Sequence, residues 1–336
     1  MTGPQTEIET GLMTAMTVVR PQTLEVQSVP RPAAGPGQVR VRLEGCGVCA
    51  SDLPPWEGRE WVQYPLAPGR PGHEGWGTID QVGDGVEHLA VGQRVTVLSD
   101  NAYAQFDVTD AETVVPLPAA LDGRPLPGAP LGGAMNVFDR CGIEPRRTVA
   151  VVGVGFLGAL LTQLAARAGA RVIAISRRSF SRQVASRMGA AQTVPVDDHR
   201  HVIETVSELT AGPLCDVVIE AVGRQWSLDL AGELTRERGR LIIAGYHQDG
   251  PRQVNMQLWN QRGLDVVNAH ERQVARCTAG VARAIDAILG GELDPWDLIT
   301  HDFPLDKLDQ ALIAMRDRPD GFLKAVARMD PPAEGA

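Results

Sequence analysis

A glycine-rich turn between a strand and a helix constrains this chain more than any other feature. Thr148–Val152 is an apolar, strand-like run, and glycines follow it at the spacing GxGxxG. Apolar residues then recur with the 3.6-residue period of a helix, at Leu157, Leu160, Leu161, Leu164, Ala165 and Ala168. Such glycines let the backbone approach a pyrophosphate at the N-terminus of the helix. The segment therefore predicts a dinucleotide site, with a ligand-free tight turn as the alternative, formed by Gly153, Gly155, Phe156, Leu157 and Gly158.

Strand-like runs alternate with helical patterns on both sides of this turn. After Thr148–Val152 they recur at Arg171–Ile175, Thr193–Val196, Cys215–Ile219, Arg240–Ala244 and Leu264–Val267. Six strands with helical crossovers are typical of a doubly wound parallel sheet, the Rossmann architecture. We therefore predict an α/β fold in this part of the chain.

The end of the second strand bears on the choice of cofactor. About 20 residues past the glycines, an NAD site places Asp or Glu on the ribose 2′-hydroxyl. Here Ser176, Arg177 and Arg178 follow the strand instead. A carboxylate would repel a 2′-phosphate, whereas a hydroxyl and guanidinium groups would bind it. These residues favour NADP(H); the alternative is a pair of solvated arginines at a strand end.

The N-terminal part of the chain has a different texture. From Val18 to about Val115 it is rich in glycine, proline and short β-rich runs such as Gln38–Leu43, Trp76–Val82 and Arg94–Leu98. Turn signals separate these runs, which predicts a barrel-like or irregular all-β domain. The last segment adds two helical stretches around a strand-like run, and residues 1–12 are expected to form a flexible tail.

Charge and cysteine content exclude several classes of function. The net charge of −9 excludes nucleic acid as a default partner, because nucleic-acid binding needs a basic face. No apolar stretch approaches the roughly 18 residues of a membrane span. Five cysteines do not make the disulfide framework of a secreted protein. The expectation is a cytoplasmic protein that acts on a small molecule.

Metal-ligating side chains occur in the β-rich part. Cys49 lies in the segment GVCASD, and His73 and Glu74 lie in the segment GHEGWG. A thiolate, an imidazole and a carboxylate about two dozen residues apart can converge on Zn²⁺ if the intervening loop folds back. The alternative is a buried cysteine and a hydrogen-bonded core histidine.

Taken together, the motifs resemble one enzyme superfamily over about residues 15–330. GVCASD, GHEGWGTIDQVGDGV, Gly92-Gln93-Arg94-Val95 and the later GxGxxG are similar to the medium-chain dehydrogenase/reductases. The likeness is to their zinc-type alcohol, polyol and threonine dehydrogenase branch. It implies a GroES-like catalytic domain over residues 13–137 and 275–336, interrupted by a Rossmann NADP(H)-binding domain over residues 138–274.

The resemblance also implies roles for individual residues. Cys49 and His73 look like zinc ligands, and Glu74 like a neighbouring or alternate ligand. Ser51 looks like the first hydroxyl of a proton relay from the substrate oxygen. Asp52 is similar to a residue that orients a metal-bound imidazole.

Two departures from the family pattern stand out. The four-cysteine lobe that holds a structural zinc in many relatives is absent, since Val97–Val115 contains no cysteine. Where a ligating glutamate is expected, the chain reads Ala129-Pro130-Leu131, and alanine cannot bind metal. Either Glu74 and water complete the coordination, or zinc binds weakly, or the site works without metal.

Further cofactor contacts are expected where other strands end. Val222 and Gly223 follow one Rossmann strand, and Gly245 and Tyr246 follow the next, at the edge that binds cofactors in such sheets. The resemblance implies that a further segment lies near the nicotinamide, and that a basic residue near the C-terminus reaches the pyrophosphate. These are Asn268, Ala269 and His270, and Lys324.

The sequence thus predicts an NADP(H)-dependent oxidoreductase of the zinc alcohol dehydrogenase type. It would transfer hydride between the nicotinamide and a secondary alcohol or ketone, such as a polyol, a sugar-like compound or a secondary metabolite. One alternative is a metal-independent NADPH-dependent reductase of an activated double bond or iminium. Another is a catalytically silent nucleotide-binding protein. We expect a homo-oligomer, a dimer or tetramer, because Leu264–Val267 is a candidate edge strand.

Overall fold

A computed structural model describes residues 11–329, and in it the chain divides into two compact units. Of the described residues, the first unit contains 11–129, 301–319 and 325–329, and the second contains 130–300 and 320–324. Residues 1–10 of the predicted tail lie outside the described residues. Its last residue, Leu12, is not part of a tail, because it begins the first strand.

The first unit is rich in antiparallel strands. A hairpin pairs β1 (Leu12–Arg20) with β2 (Thr23–Pro30). A larger sheet has the order β14-β15-β3-β4-β5-β7, and β6 pairs with β3 off this path. Its strands are β3 (Gln38–Val48), β4 (Gly75–Val82), β5 (Arg94–Val97), β6 (Phe106–Asp110), β7 (Val114–Pro116), β14 (His301–Pro304) and β15 (Ala325–Arg328). Two helices, α1 (Leu53–Glu57) and α9 (Leu308–Asp317), accompany these strands.

Side-chain alternation explains the central strand of this sheet. In β3, Val39, Val41 and Leu43 are buried at every second position, as a strand with one face in the core requires. Near its end the strand has glycine at positions 45 and 47, where neighbouring groups fill the space of a side chain. A Cβ on Gly45 would lie 2.3 Å from the Trp76 ring.

The second unit is a six-stranded parallel sheet with helices on both faces. Its order is β10-β9-β8-β11-β12-β13, the order of a dinucleotide-binding Rossmann sheet. The strands are β8 (Thr148–Val152), β9 (Arg171–Ser176), β10 (Gln192–Pro195), β11 (Cys215–Glu220), β12 (Thr235–Ile243) and β13 (Asp265–Asn268). The helices are α2 (Gly128–Cys141), α3 (Phe156–Arg167), α4 (Ser179–Arg187), α5 (His199–Leu209), α6 (Gln225–Leu234), α7 (Met256–Arg262) and α8 (Val274–Leu289). The predicted α/β fold class is confirmed.

Both faces of this sheet are buried, which explains why its strands are nearly continuous apolar runs. Val149 and Val151 pack into one core with residues of α2 and α3, such as Leu161. Ala150 and Val152 face the other way and pack with residues of α5 and α6. Within the part of the chain that the structure describes, no helix has the length and apolar character to cross a membrane.

The units differ in extent from the predicted domains, because helices α2 and α8 pack together within the second unit. Arg283 on α8 donates hydrogen bonds to Asn136 (2.9 Å) and Asp139 (2.7 Å) on α2. A Cβ on Gly132 would lie 2.7 Å from Val281, so the two helices meet at a glycine. Residues 130–137 and 275–300 therefore fall with the Rossmann sheet rather than with the β-rich unit.

Candidate functional site

In the first unit, a buried carboxylate organises the turn that follows β3. The side chain of Asp52 is fully buried, and its Oδ2 accepts hydrogen bonds from the Cys49 N–H (2.8 Å) and the Tyr103 hydroxyl (2.6 Å). Its other oxygen, Oδ1, lies 3.1 Å from Nδ1 of His73. One carboxylate thereby fixes the positions of a cysteine, a histidine and a tyrosine.

These contacts determine which nitrogen of His73 is free for a ligand. Nδ1 faces two acceptors, Asp52 Oδ1 and the Pro71 carbonyl oxygen at 3.0 Å, so it carries a proton. Nε2 lies 3.3 Å from the Ser51 hydroxyl. Metal-binding histidines typically donate the N–H of one ring nitrogen to a carboxylate or carbonyl oxygen and bind metal through the other nitrogen.

Cys49, His73 and Glu74 come together. One ligand atom from each lies within 4.8 Å of the other two. Adjacent residues in a strand point to opposite faces, but β4 begins only at Gly75, so His73 and Glu74 are free of that constraint. The buried carboxylate of Glu74 fits against Gly47, where a Cβ would lie 1.9 Å from Oε2. A thiolate, an imidazole and a carboxylate are a donor set that suits zinc.

Ala129 is the second residue of α2. The preceding Gly128 donates its N–H to Thr96 Oγ1 (3.1 Å), and that hydroxyl donates to the Gly75 carbonyl oxygen (2.9 Å). The helix therefore begins at a point tied to the strand that follows Glu74. The methyl group of Ala129 has no atom that could ligate a metal.

Electrostatics favour a protonated His73 in the metal-free protein. Burial disfavours the imidazolium, but the charge and hydrogen bond of Asp52, followed by Cys49, outweigh burial and raise the pKa of His73 well above its usual value. A metal ion must therefore displace a proton from this ring. Burial also raises the pKa of Tyr103, which keeps its hydroxyl a donor to Asp52.

In the second unit, the glycine-rich turn has the geometry that its spacing predicts. Gly153 has a φ of 97°, and a Cβ there would lie 2.3 Å from Val222. A Cβ on Gly158 would lie 2.0 Å from the Gly153 carbonyl oxygen, so the helix packs closely on the turn. At Gly155 nothing lies within 4 Å of that position, which leaves open space beside the N-terminus of α3. These are the three roles of glycine in a dinucleotide-binding turn.

Lys324 lies beside this turn. The side chain is buried, and its Nζ is 5.2 Å from the centre of the Phe156 ring at the first position of α3. Leu157, the next residue, packs against the core of the unit. A cation beside a helix N-terminus adds to the field that attracts an anion.

The residues after β9 have different environments. Ser176 is buried, and Arg178 donates to the Phe322 carbonyl oxygen at 2.6 Å. Arg177 is exposed, with its guanidinium 5.8 Å from the centre of the Trp226 ring. Arg182, which the sequence did not single out, donates to the carbonyl oxygens of Ser176 and Arg177 at 2.9 and 2.8 Å. Arg177 is thus the guanidinium best placed for an external anion.

The ends of β11, β12 and β13 bring the remaining predicted residues together. A Cβ on Gly223 would lie 2.4 Å from the Tyr246 carbonyl oxygen, and one on Gly245 would lie 2.3 Å from the Gly223 nitrogen. The Tyr246 and His270 rings are 5.0 Å apart, and burial followed by the charges of Arg272 and His247 lowers the pKa of His270. Asn268 Oδ1 accepts the N–H of His270 (3.2 Å), whereas the side chain of Ala269 is buried in the core.

Besides Arg182, the sequence motifs do not include Tyr103, Glu220, His247 or Arg252, which support these sites. Tyr103 lies in a loop with no motif around it, 51 positions from its partner Asp52. Glu220 carried a signal, because a charged residue that follows the buried run Val217–Ile219 at the end of a strand must have buried partners. Those partners include His247, which in turn accepts a hydrogen bond from Arg252.

The raised pKa of His73 predicts how the stability of the metal-free protein depends on pH. Its imidazolium stabilises the fold fully below the unfolded-state pKa of about 6.5, and this contribution is lost as pH rises through the higher folded-state value. We expect the difference in free energy of unfolding between the chelator-treated chain and His73→Gln to shrink as pH rises above about 6.5 and through the higher folded-state pKa of His73. Urea denaturation at several pH values measures it, and a difference that grows with pH would contradict the assignment.

Two family models match the chain. One, described as the alcohol dehydrogenase GroES-like domain, matches residues 35–133. The other, described as zinc-binding dehydrogenase, matches residues 157–286. Each match falls on one of the two sequence regions from which the fold was predicted.

Curated relatives are similar over most of their length. A sorbitol dehydrogenase of Halalkalibacterium halodurans is 27% identical over 327 residues, covering 87% of this chain and 92% of the relative. An alcohol dehydrogenase of Geobacillus stearothermophilus is 30% identical over 256 residues, covering 66% of this chain and 74% of the relative. An L-threonine 3-dehydrogenase of Pyrococcus abyssi is 26% identical, with coverages of 87% and 92%.

Solved structures share the fold at low sequence identity. The Bacillus subtilis 2R,3R-butanediol dehydrogenase superposes with a TM-score of 0.79 at 21% identity, covering 95% of this chain and all of that one. The mycobacterial protein Rv1454c, solved in complex with NADPH, superposes with a TM-score of 0.82 at 23% identity, with coverages of 94% and 99%. Together, the two domain matches and the 30% identity to an alcohol dehydrogenase establish that the chain belongs to the zinc-type medium-chain dehydrogenase/reductases.

Proposed function

We propose that this dehydrogenase uses NADP(H) and interconverts a secondary alcohol and a ketone. The convergence of Cys49, His73 and Glu74 carries the proposal for the reaction, since zinc activates an alcohol or carbonyl oxygen. The relatives named for sorbitol and L-threonine support a secondary alcohol, because both compounds contain one. A polyol or sugar-like molecule is the substrate class that we favour.

The residues of the chain have separable tasks in this scheme. Cys49, His73 and Glu74 would hold zinc, which supplies Lewis acidity when it is bound. Asp52 fixes the ring of His73, and Ser51, 3.3 Å from its Nε2, would carry the proton of the substrate hydroxyl. In the Rossmann unit, the turn Gly153–Gly158 and Lys324 would orient NADP(H), the source or acceptor of hydride.

Arg177 supports the choice of NADP(H) over NAD(H). It is an exposed guanidinium directly after Ser176, the last residue of β9, and an NAD site has a carboxylate at the position of Ser176. Replacing Arg177 and Arg178 by alanine should weaken NADPH binding about tenfold or more and leave NADH binding nearly unchanged, because only NADPH carries the 2′-phosphate. Fluorescence titration of both cofactors measures the change. Arg200→Ala, at an exposed position of α5, is the control. Equal losses for the two cofactors would contradict the proposal.

Ala129 favours weak zinc binding. Catalytic zinc normally has three protein ligands, and here the buried Glu74 must serve as the third, since Ala129 stands where the resemblance to the family implies a ligating glutamate. We expect substoichiometric zinc in the purified chain and near-stoichiometric zinc in Ala129→Glu, measured by elemental analysis after dialysis. Ala129→Gln, with the same length and a weaker donor, should restore less.

Two results would contradict this prediction. Full zinc that resists chelators in the unmodified chain would mean that the three converging residues suffice. Unchanged occupancy in Ala129→Glu would favour the second candidate function, a metal-independent NADPH-dependent reductase of an activated double bond or iminium. That function has Ala129 as its supporting observation.

We further propose a symmetric dimer that forms through the edge strand β13. This strand pairs only with β12 among the described strands, and Val266 on it is 37% exposed. An open apolar edge is a template for pairing with a second copy. Light scattering should give twice the chain mass, and Val266→Lys should shift it toward the monomer, while Val91→Lys, at another exposed valine, should not. A monomer at micromolar concentration would contradict the proposal.

A further inference from the structure

A second buried carboxylate shapes the turn that follows β11. Glu220 is the last residue of that strand, and its side chain is fully buried. Its Oε1 accepts hydrogen bonds from the N–H groups of Val222 and Gly223, each at 2.8 Å, and from the Ser227 hydroxyl at 2.7 Å. β11 lies beside β8, where the strand order reverses and nucleotides bind.

The other oxygen of Glu220 is paired with a histidine from the next turn. Nε2 of His247 lies 3.0 Å from Oε2 of Glu220. Nδ1 of the same ring is 2.8 Å from Nε of Arg252, and a guanidinium can only donate. Nδ1 is therefore the acceptor, and Nε2 carries the proton that is donated to Glu220. His247 bridges an acidic and a basic side chain in one defined tautomer.

Arg252 closes the circuit onto the first turn. Its Nη2 donates to the Gly223 carbonyl oxygen at 3.1 Å, and Asp249 pairs with it from the exposed side. The turn after β11 is thus held through both its N–H groups and its carbonyl oxygen. The turn after β12 is held at the same place, because a Cβ on Gly245 would lie 2.6 Å from Oε2 of Glu220.

This circuit lies on one half of the sheet. A dinucleotide-binding sheet consists of two mononucleotide-binding halves, and Arg177, proposed to bind the 2′-phosphate, follows β9 in the first half. Glu220 is the last residue of β11 and His247 lies after β12, so both belong to the second half. The second half therefore corresponds to the nicotinamide mononucleotide.

We infer that His247 is a positioning residue, which holds the turns after β11 and β12 together so that they line the nicotinamide half of the cofactor site. The assignment rests on the proposed function, since it requires a bound dinucleotide. His247 itself need not touch the cofactor. It acts through Glu220 and Arg252 on the backbone of residues 222–223 and 245–246.

Two substitutions separate the hydrogen bonds from the ring. His247→Leu removes the ring together with its two hydrogen bonds. Oε2 of Glu220 and Nε of Arg252 then lose their partner, and the turns must move to admit water. His247→Gln keeps one donor and one acceptor and should restore the circuit. Where His247→Leu does not fold, Arg252→Met breaks the same circuit at the end opposite the fully buried Glu220, since the side chain of Arg252 is 15% exposed.

Two ligands separate the halves of the site. NADPH spans both halves, whereas adenosine 2′,5′-bisphosphate occupies only the first. His247→Leu should weaken NADPH binding about tenfold or more, the effect of one lost buried hydrogen bond to a charged group, and should leave the fragment's affinity unchanged. His247→Gln should bring the NADPH affinity back to within about threefold of the original. Titration calorimetry well below the melting temperature of each variant measures both ligands.

Asp216→Asn is the matched control. Asp216 lies at the opposite end of the same strand, where it accepts the Thr148 N–H at 2.8 Å and pairs with Arg147 and Arg236. Its loss should lower the melting temperature but change neither affinity. If His247→Leu weakens both ligands equally, or leaves NADPH binding unchanged, the positioning role is overturned. If Asp216→Asn also weakens NADPH binding and leaves the fragment's affinity unchanged, the role is likewise overturned.

Cofactor binding by the unmodified chain tests the proposed function separately. A chain that binds neither NADPH nor NADH contradicts the dehydrogenase proposal, and the positioning role with it, before any variant is made. A chain that prefers NADH contradicts only the cofactor choice, and the comparison is then made with NADH and ADP in the same variants.

Discussion

A fully buried carboxylate that accepts backbone N–H hydrogen bonds and faces a histidine is the feature on which both candidate sites depend. Asp52 accepts the Cys49 N–H and faces His73, and Glu220 accepts the N–H groups of its own turn and faces His247. A buried charge without partners is costly, so every group that satisfies it is held in place. Each carboxylate also has a hydroxyl donor, Tyr103 in the first case and Ser227 in the second. Turns that would otherwise be adaptable loops thereby acquire one geometry.

Local features of the fold were predictable from the sequence, and distant partners were not. The strand, the three glycines and the helical stripe at 148–168 are contiguous, so pattern alone predicts β8, the turn and α3. The edge position of β13 also follows from the strand pattern, and the structure confirms it. The pairing of Arg252 with His247 and of Tyr103 with Asp52 depends on side chains that tertiary structure alone brings together. The boundaries of the β-rich unit were not predictable for the same reason. They depend on the packing of α2 against α8, which joins segments about 140 residues apart in sequence.

In the candidate metal site, sequence reasoning could not establish where the side chain of Glu74 points. Strand alternation argued against two adjacent ligands, and that rule fails here because β4 begins one residue later. Gly47 makes the arrangement possible, since any side chain there would occupy the position of the Glu74 carboxylate. A glycine two residues before Cys49 is thus a requirement of the ligand set, although nothing in its local sequence indicates a role in metal binding.

The same contacts explain why the chain can carry alanine at position 129 without loss of its fold. In the metal-free protein, the raised pKa of His73 favours an imidazolium beside Asp52. The positive charge of this ring offsets the negative charge of the Asp52 carboxylate. The turn after β3 is fixed by hydrogen bonds from Cys49 and Tyr103, neither of which involves a metal. In the Rossmann unit, the circuit of Glu220, His247 and Arg252 is likewise complete within the protein. The hydrogen bonds that position these groups therefore lie within the protein and involve no atom of residue 129.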